Sequence, residues 1–298
     1  MVAVELADVP VPASTVAQIE AMAEAAARTD GVEPLGEQTL LDLRDPGAST
    51  VHLLATDTSG GLVGYASLTT RGAPTAELVV DPRVRRCGVG AGLLAQVRTT
   101  AARLDRSGLR VWAHGDLPAA RHLAAHAGLT RQRELWRMER ELGDEPAGAD
   151  EPEPPTGAQV RSYLADQDDD AVLAVNARAF AWHPEQGSMT APDLRARRDE
   201  PWFDPADLVL LERDDSLLGF AWLKVEPGAD DGELYVLAVD PRTQGQGIGR
   251  YLTRLAIARL AGRGLRRVLL YTEADNTAAV RLYADHGFTR TRVDVQYG

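Results

Sequence analysis

The sequence predicts an α/β fold laid down twice in tandem. Three observations predict it. Val80-Asp81-Pro82-Arg83 recurs as Val239-Asp240-Pro241-Arg242, 159 residues on (239 − 80). Gly88-x-Gly90 recurs as Gly247-x-Gly249, and Gly128-Leu129-Thr130 as Gly287-Phe288-Thr289, both at the same offset of 159. Between the copies, residues 143–158 read GDEPAGADEPEPPTGA, acidic and proline-rich with no apolar side chain beyond alanine. Such a stretch buries too little surface to order itself and reads as a linker. The expected organisation is one domain over 1–142, a linker over 143–158 and a second domain over 159–298. Gly64-Tyr65-Ala66 also answers Gly219-Phe220-Ala221. Gly108-Leu109-Arg110 answers Gly264-Leu265-Arg266 at an offset of 156, so the middle helix is slightly shorter in the second copy.

The elements follow in order. A short strand is expected from Val2 to Leu6. Ser14 or Thr15 caps a helix with Val16, Ile19, Met22 and Ala23 at helical spacing, and Asp30-Gly31 ends it. A second helix runs from Glu37 to Leu43. Strands from Val51 to Thr56 and from Leu62 to Thr69 flank the turn Thr58-Ser59-Gly60-Gly61. A strand from Glu77 to Val80 enters the first glycine loop. The helix that leaves it carries Val89, Leu93, Val97, Ala101 and Leu104 on one face. A strand from Leu109 to Ala113, a helix from Pro118 to Ala127, and either a strand pair or one long strand from Leu129 to Arg140 complete the copy. In the second copy a strand from Glu233 to Val239 enters the loop. A periodic helix, roughly Gly247 to Ala261, leaves it.

At 298 residues the chain is long enough for two cores, and 44% hydrophobic with 26% charged residues marks a soluble globular protein. A net charge of −12 argues against nucleic acid as a partner. One cysteine, Cys87, excludes an internal disulfide and a cysteine-rich metal site. The opening MVAVELADVP is no signal peptide, and no apolar stretch spans a bilayer. A cytoplasmic monomer with no membrane partner is expected.

Gln244-x-x-Gly247-x-Gly249 sits where a strand hands over to a helix. Unpaired N–H groups and a partial positive charge at a helix start suit a pyrophosphate, and glycine lets the backbone approach it. The spacing is neither G-x-G-x-x-G nor a Walker loop. Arg83, Arg85 and Arg86 beside one loop, and Arg242 and Arg250 beside the other, are the cations available to a polyanion. A second pattern, N-x-x-A-x-x-x-Y-x-x-x-G-F, runs from Asn276 through Ala279 and Tyr283 to Gly287-Phe288. With these two motifs the chain resembles the GCN5-related N-acetyltransferases.

The resemblance implies, in each copy, a mixed and mostly antiparallel sheet flanked by helices, with acetyl-CoA as cosubstrate. It implies that Leu237, Ala238 and Val239 pair with the pantetheine arm, with an oxyanion donor at the N–H near Leu237. The pyrophosphate falls to Gln244, Gly245, Gln246, Gly247, Ile248, Gly249 and Arg250. Asn276, Thr277, Ala278, Ala279, Val280 and Arg281 complete that site. Glu233 is the candidate base that strips the amine, and Tyr283 the candidate acid for the thiolate. In the first copy the CoA stretch is Leu78, Val79 and Val80 with Arg85, Arg86, Cys87, Gly88, Val89, Gly90 and Ala91. That copy has Ala124 in place of Tyr283, Leu117 in place of Asn276, and no clear base. It reads as a binding or structural domain without transfer chemistry.

Trp182-His183-Pro184-Glu185-Gln186, Gly232-Glu233-Leu234-Tyr235-Val236 and the run from Leu270 to Asn276 extend the likeness to the family of mycothiol acetyltransferases. That resemblance implies a small-molecule amine acceptor, the cysteinyl α-amine of a cysteinyl-glucosaminyl-inositol. It implies acceptor contacts at Glu37, Glu185, Lys224, Glu233 and Tyr271. Another amine (a peptide N-terminus or an aminoglycoside), or an acyl-CoA sensor without turnover, are the alternatives that the residues themselves leave open.

Overall fold

The computed structural model describes residues 3–7, 10–70, 72–104, 107–143, 151–183 and 186–298. The chain divides into two compact units, Met1–Leu135 with Val293–Gly298, and Trp136–Arg292. The boundary therefore falls earlier than residue 142, inside one long strand, β6 (Arg131–Glu141). The last strand, β12 (Thr289–Tyr297), is divided in the same way after Arg292. Residues 144–150 of the expected linker lie outside the described residues. Of the rest, Glu151 pairs with Arg259 at 2.8 Å and Ala158 is buried in a core.

In the first unit, strands β1 (Ala3–Leu6), β2 (Thr50–Thr56), β3 (Leu62–Thr69) and β4 (Thr75–Val80) pair antiparallel in sequence order. β5 (Arg110–Ala113) joins β4 in parallel through Thr75↔Arg110 and Ala76↔Val111. The other edge of β5 takes β12 antiparallel through Val295↔Ala113, Gln296↔Trp112 and Tyr297↔Val111, which is why Val293–Gly298 belong to this unit. Helices α1 (Ala13–Asp30) and α2 (Glu37–Arg44) cover one face with Ile19, Met22, Leu43, Tyr65 and Val79. Helix α3 (Val89–Arg103) covers the other with Leu53, Leu68, Leu93 and Val97. Helix α4 (Pro118–His126) follows β5. The cap of α1 differs from expectation. Neither Ser14 nor Thr15 caps it; the helix begins earlier, and the Pro12 carbonyl accepts the N–H groups of Thr15 and Val16. Gly31 closes it in the left-handed conformation.

In the second unit, β7 (Gln159–Ser162), β8 (Leu208–Arg213), β9 (Ser216–Lys224) and β10 (Asp231–Val239) pair antiparallel, and β11 (Arg267–Glu273) joins β10 in parallel. Helices α5 (Asp169–Ala179) and α6 (Ala191–Arg198) lie on one face, over Val175, Leu194, Phe220, Trp222 and Ala238. Helix α7 (Ile248–Gly262) and α8 (Thr277–Asp285) serve a second core with Leu252, Leu255, Val268, Tyr283 and Phe288. The glycines repeated in β3 and β9 have a steric cause. A Cβ on Gly219 would meet the Ala238 carbonyl at 2.6 Å, and one on Gly64 would meet Leu93 at 2.9 Å.

A register shift between Leu234 and Val236 turns the faces of β10. Leu234, Leu237 and Val239 pack with α7, whereas Tyr235, Val236 and Ala238 pack on the α5–α6 side. Alternation with Leu234 puts Glu233 on that second side too.

Candidate active site

Each glycine loop hangs from a buried aspartate. Asp240 accepts the Arg242 N–H at 3.0 Å, and its other oxygen accepts Nη2 of Arg242 at 2.6 Å and Nη2 of Arg178 at 2.7 Å. The Arg242 bond above all, with Arg178, holds this carboxyl well below the usual range although burial pushes it up. Asp81 and Arg83 repeat the arrangement at 2.9 and 2.6 Å. The cations expected at the loops are thus partly engaged in building them. Arg83 and Arg242 clasp their aspartates, and Arg85 forks onto Asp30 with both distances 2.7 Å. Arg86 and Arg250 are exposed.

Gly247 opens α7 at φ 75°, and Gly88 opens α3 at φ 86°. A Cβ on either would meet no protein atom within 4 Å, so the space before each helix start is open. Gln244, Gly245 and Gln246 are exposed there, Ile248 is buried in the core, and Gly249 packs on Leu282. In the first copy Cys87 and Ala91 are exposed and Val89 is buried; Gly90 packs on Leu123 and Val80. The loops differ at one backbone position. Gly245 has φ 81°, whereas its counterpart Arg86 holds φ 66°, a conformation that costs a non-glycine residue about 1–3 kcal/mol.

Beyond the loops the two copies share a gap. The parallel register of β10 with β11 covers Asp231↔Arg267 to Glu233↔Leu269 and does not continue along Leu234–Val239. Leu78, Val79 and Val80 likewise lie past the β4–β5 pairs. Alternate backbone groups of Leu237, Ala238 and Val239 therefore face this gap outside the ladder. Half-buried Glu233 stands at its inner end, directly opposite Lys224 of β9.

Asn276 caps α8 by accepting the Ala279 N–H at 3.2 Å. Thr277, Ala278 and Arg281 are exposed on its first turns, with Ala279 and Val280 half-buried. Tyr283 is buried against Phe288, ring centroids 5.8 Å apart, and burial pushes its phenol up to about 12. Tyr271, 37% exposed, accepts Nη2 of Arg292 at 2.9 Å. Glu37 is the first residue of α2, in the first unit. Glu185 lies outside the described residues. The residues flanking it are anchored: His183 Nδ1 accepts the Gln186 N–H at 3.0 Å, and Gln186 and Asn176 bond each other at 2.6 and 3.0 Å.

Sequence reading missed a carboxylate in the first copy. Glu77, in the copy that reads as having no clear base, is placed by the β4 register on the α1–α2 face beside Val79. It is no open base. Its oxygens accept the Gly36 N–H at 2.8 Å and meet His114 Nε2 at 3.0 Å. His114 in turn faces Asp294 at 3.3 Å. A Cβ at Gly36 would meet Glu77 at 3.0 Å, a close approach that favours glycine there and that no local pattern in the sequence announces.

Two family profiles match the chain, the Acetyltransferase (GNAT) family over residues 176–288 and an Acetyltransferase (GNAT) domain over residues 48–129. A mycothiol acetyltransferase of Cellulomonas flavigena is 51% identical over 302 residues, covering 96% of this chain and 86% of that protein. The chain belongs to the mycothiol acetyltransferase family, within the GCN5-related N-acetyltransferases. A second mycothiol acetyltransferase, from Thermobispora bispora, is 52% identical and covers 93% of each chain. A tandem GNAT protein from the clavulanic acid biosynthesis pathway shares the fold at a TM-score of 0.74 and 22% identity, covering 99% of this chain and 98% of its own. The two matched profiles fall one in each copy, so the mycothiol acetyltransferase family supplies the tandem acyl-CoA-using fold expected from the repeat. Among the described residues no helix is long and apolar enough to cross a membrane.

Proposed function

We propose that the chain transfers the acetyl group of acetyl-CoA to the cysteinyl α-amine of a cysteinyl-glucosaminyl-inositol, giving mycothiol, in the cytoplasm and as a monomer. The observation that carries the reading is the placement of Glu233 and Tyr283 in one unit with an open glycine loop and a gap beside β10. Two relatives named mycothiol acetyltransferase, 51% and 52% identical, support this reading of the acceptor. The first copy keeps the loop but has its carboxylate Glu77 enclosed by Gly36 and His114, which supports binding of acetyl-CoA there without transfer.

Glu233, through water, takes the ammonium proton. An α-amine near pKa 7.7–8.0 costs only about 1 kcal/mol to neutralise at pH 7, so one carboxylate suffices. The neutral nitrogen attacks the thioester carbonyl, and the N–H near Leu237 receives the oxyanion. Collapse expels the thiolate, which takes the Tyr283 proton, while the attacking nitrogen releases its second proton to water and the phenolate regains a proton from solvent, leaving the neutral amide. A phenol raised to about 12 keeps that proton throughout the working pH range. Mass spectrometry of the acceptor after incubation with acetyl-CoA tests the reaction. An acetylated α-amine is expected; acetylation of some other amine in preference would replace the acceptor.

Tyr283→Phe is expected to bind acetyl-CoA normally and to lose roughly 10²–10³ in kcat. An unchanged kcat would return Tyr283 to the core. For Glu233→Gln the loss is expected to be about 10²-fold at pH 6 and much smaller above pH 8.5, where the amine is already neutral. A pH profile parallel to that of the parent would make Glu233 a positioning group.

A further inference from the structure

Of the 32 basic residues Lys+Arg in this chain, 31 are arginine; Lys224 is the only lysine. It ends β9 as the cross-strand partner of Glu233. Directly opposed residues of an antiparallel pair project on the same side, their Cβ atoms about 5 Å apart. Its ammonium sits 4.8 Å from the ring centroid of Trp202 and 5.6 Å from that of Tyr235, and 3.1 Å from a Glu226 oxygen.

The two rings are themselves fixed. Trp202 and Tyr235 lie 5.2 Å apart, and Trp222 packs against both at 5.8 and 5.4 Å. Trp202 is 4% exposed. The Tyr235 hydroxyl accepts Nε of Arg197 at 2.7 Å, and Arg197 donates to the Asp193 carbonyl at 3.1 Å. Asp193 belongs to the capping box that starts α6. A run of contacts thus leads from the α6 cap through Arg197 and Tyr235 to the ammonium.

A compact ammonium fits between two tilted faces and keeps tetrahedral donors. A planar guanidinium would stack on one face and carry its donors outward. We infer that Trp202 and Tyr235, the latter held by Arg197, are positioning residues that fix the Lys224 ammonium beside Glu233 so that it binds an oxygen of the acceptor. The inference rests on the reading that the acceptor enters on the Glu233 side. It also accounts for a lysine here in a chain that otherwise uses arginine.

The single lysine makes the test direct. Full-length protein grown on [13Cε]lysine gives one lysine resonance. Ring currents are expected to displace it upfield from free lysine, and Trp202→Leu to return it toward the free position. Acceptor added to the wild type is expected to move it again. In kinetics, Trp202→Leu is expected to raise the acceptor KM about tenfold with the acetyl-CoA KM unchanged, and Trp202→Phe to recover most of that loss. Lys224→Met is expected to do the same as Trp202→Leu, and the double variant to be no worse than Lys224→Met. Tyr235→Phe, which keeps the ring and drops the Arg197 bond, covers the case in which Trp202→Leu does not fold; it is expected to shift the resonance and raise the acceptor KM less. Additive effects of Trp202→Leu and Lys224→Met, or a lysine resonance at the free position in the wild type, would overturn the inference. A displaced resonance that responds to no acceptor, with no amine acetylated, would instead defeat the functional reading while leaving the lysine's placement standing.

Discussion

Gly247→Val is expected to abolish turnover, whereas Gly88→Val is expected to leave substantial turnover per folded molecule. Both glycines stand at positive φ, 75° and 86°, where a β-branched residue is a genuine outlier. No protein atom lies within 4 Å of a Cβ at either site, so valine does not collide with the fold. It projects instead into the space before the helix start, where a pyrophosphate would meet backbone N–H groups. Two charge-assisted hydrogen bonds lost, at roughly 1.5–3 kcal/mol each, already amount to about 10²–10⁴ in affinity. The mechanism is the same in both copies, but Glu233 and Tyr283 stand only in the second. Calorimetry for stoichiometry and steady-state kinetics, on variants shown to be folded by circular dichroism, make the comparison. A folded Gly88→Val protein as inactive as Gly247→Val would place the first copy in the chemistry.

The loops were legible because their requirements are local. A strand, an Asp-Pro turn and glycines at fixed spacing carry the whole arrangement, and it recurs 159 residues on. The Asn276 cap was legible for the same reason: its bond runs three residues along the chain, to Ala279. What was hidden depends on partners far apart in sequence. The division of β12 after Arg292 follows from its pairing with β5 through Val295↔Ala113, a contact of strands 182 residues apart (295 − 113) that no local pattern announces. The aromatic surroundings of Lys224 were invisible for the same reason, since Trp202 and Tyr235 meet it only in the fold. The partner of Arg85 was hidden in the same way: a cation beside a glycine loop suggests a phosphate, and only the fold brings Asp30, at the end of α1, to its guanidinium.

His114→Ala is expected to destabilise the first unit by about 3–5 kcal/mol at pH 6, since it leaves two carboxylates buried without their cation. His114 lies between Glu77 at 3.0 Å and Asp294 at 3.3 Å, and Asp294 also accepts the Gly115 N–H at 2.7 Å. Trp112 stacks on the imidazole at 6.2 Å, with the Arg133 guanidinium over the far ring at 5.4 Å. Burial alone would lower the imidazole pKa, but Glu77 and Asp294 outweigh it and raise it to about 10. Burial likewise pushes Glu77 up, and the imidazolium with the Gly36 and Thr39 bonds brings it below the usual range. A histidine raised on folding stabilises fully below its unfolded pKa of about 6.5, and that contribution is lost as pH climbs through about 10. The lowered Glu77 acts at the other end: its contribution is present above about pH 4.3 and lost as pH falls. The first unit is therefore expected to be most stable between about pH 4.5 and 6.5, and to weaken steadily toward pH 10. Hydrogen exchange of the β5 amides, measured at several pH values and corrected for intrinsic rates, reads this unit alone. In His114→Ala the alkaline decline is expected to vanish, and the gap to wild type to close as pH approaches 10. Wild-type β5 protection that is flat from pH 6 to 10 would mean that the imidazole is neutral in the fold, and that Asp294 anchors the last strand by its Gly115 bond without the charge.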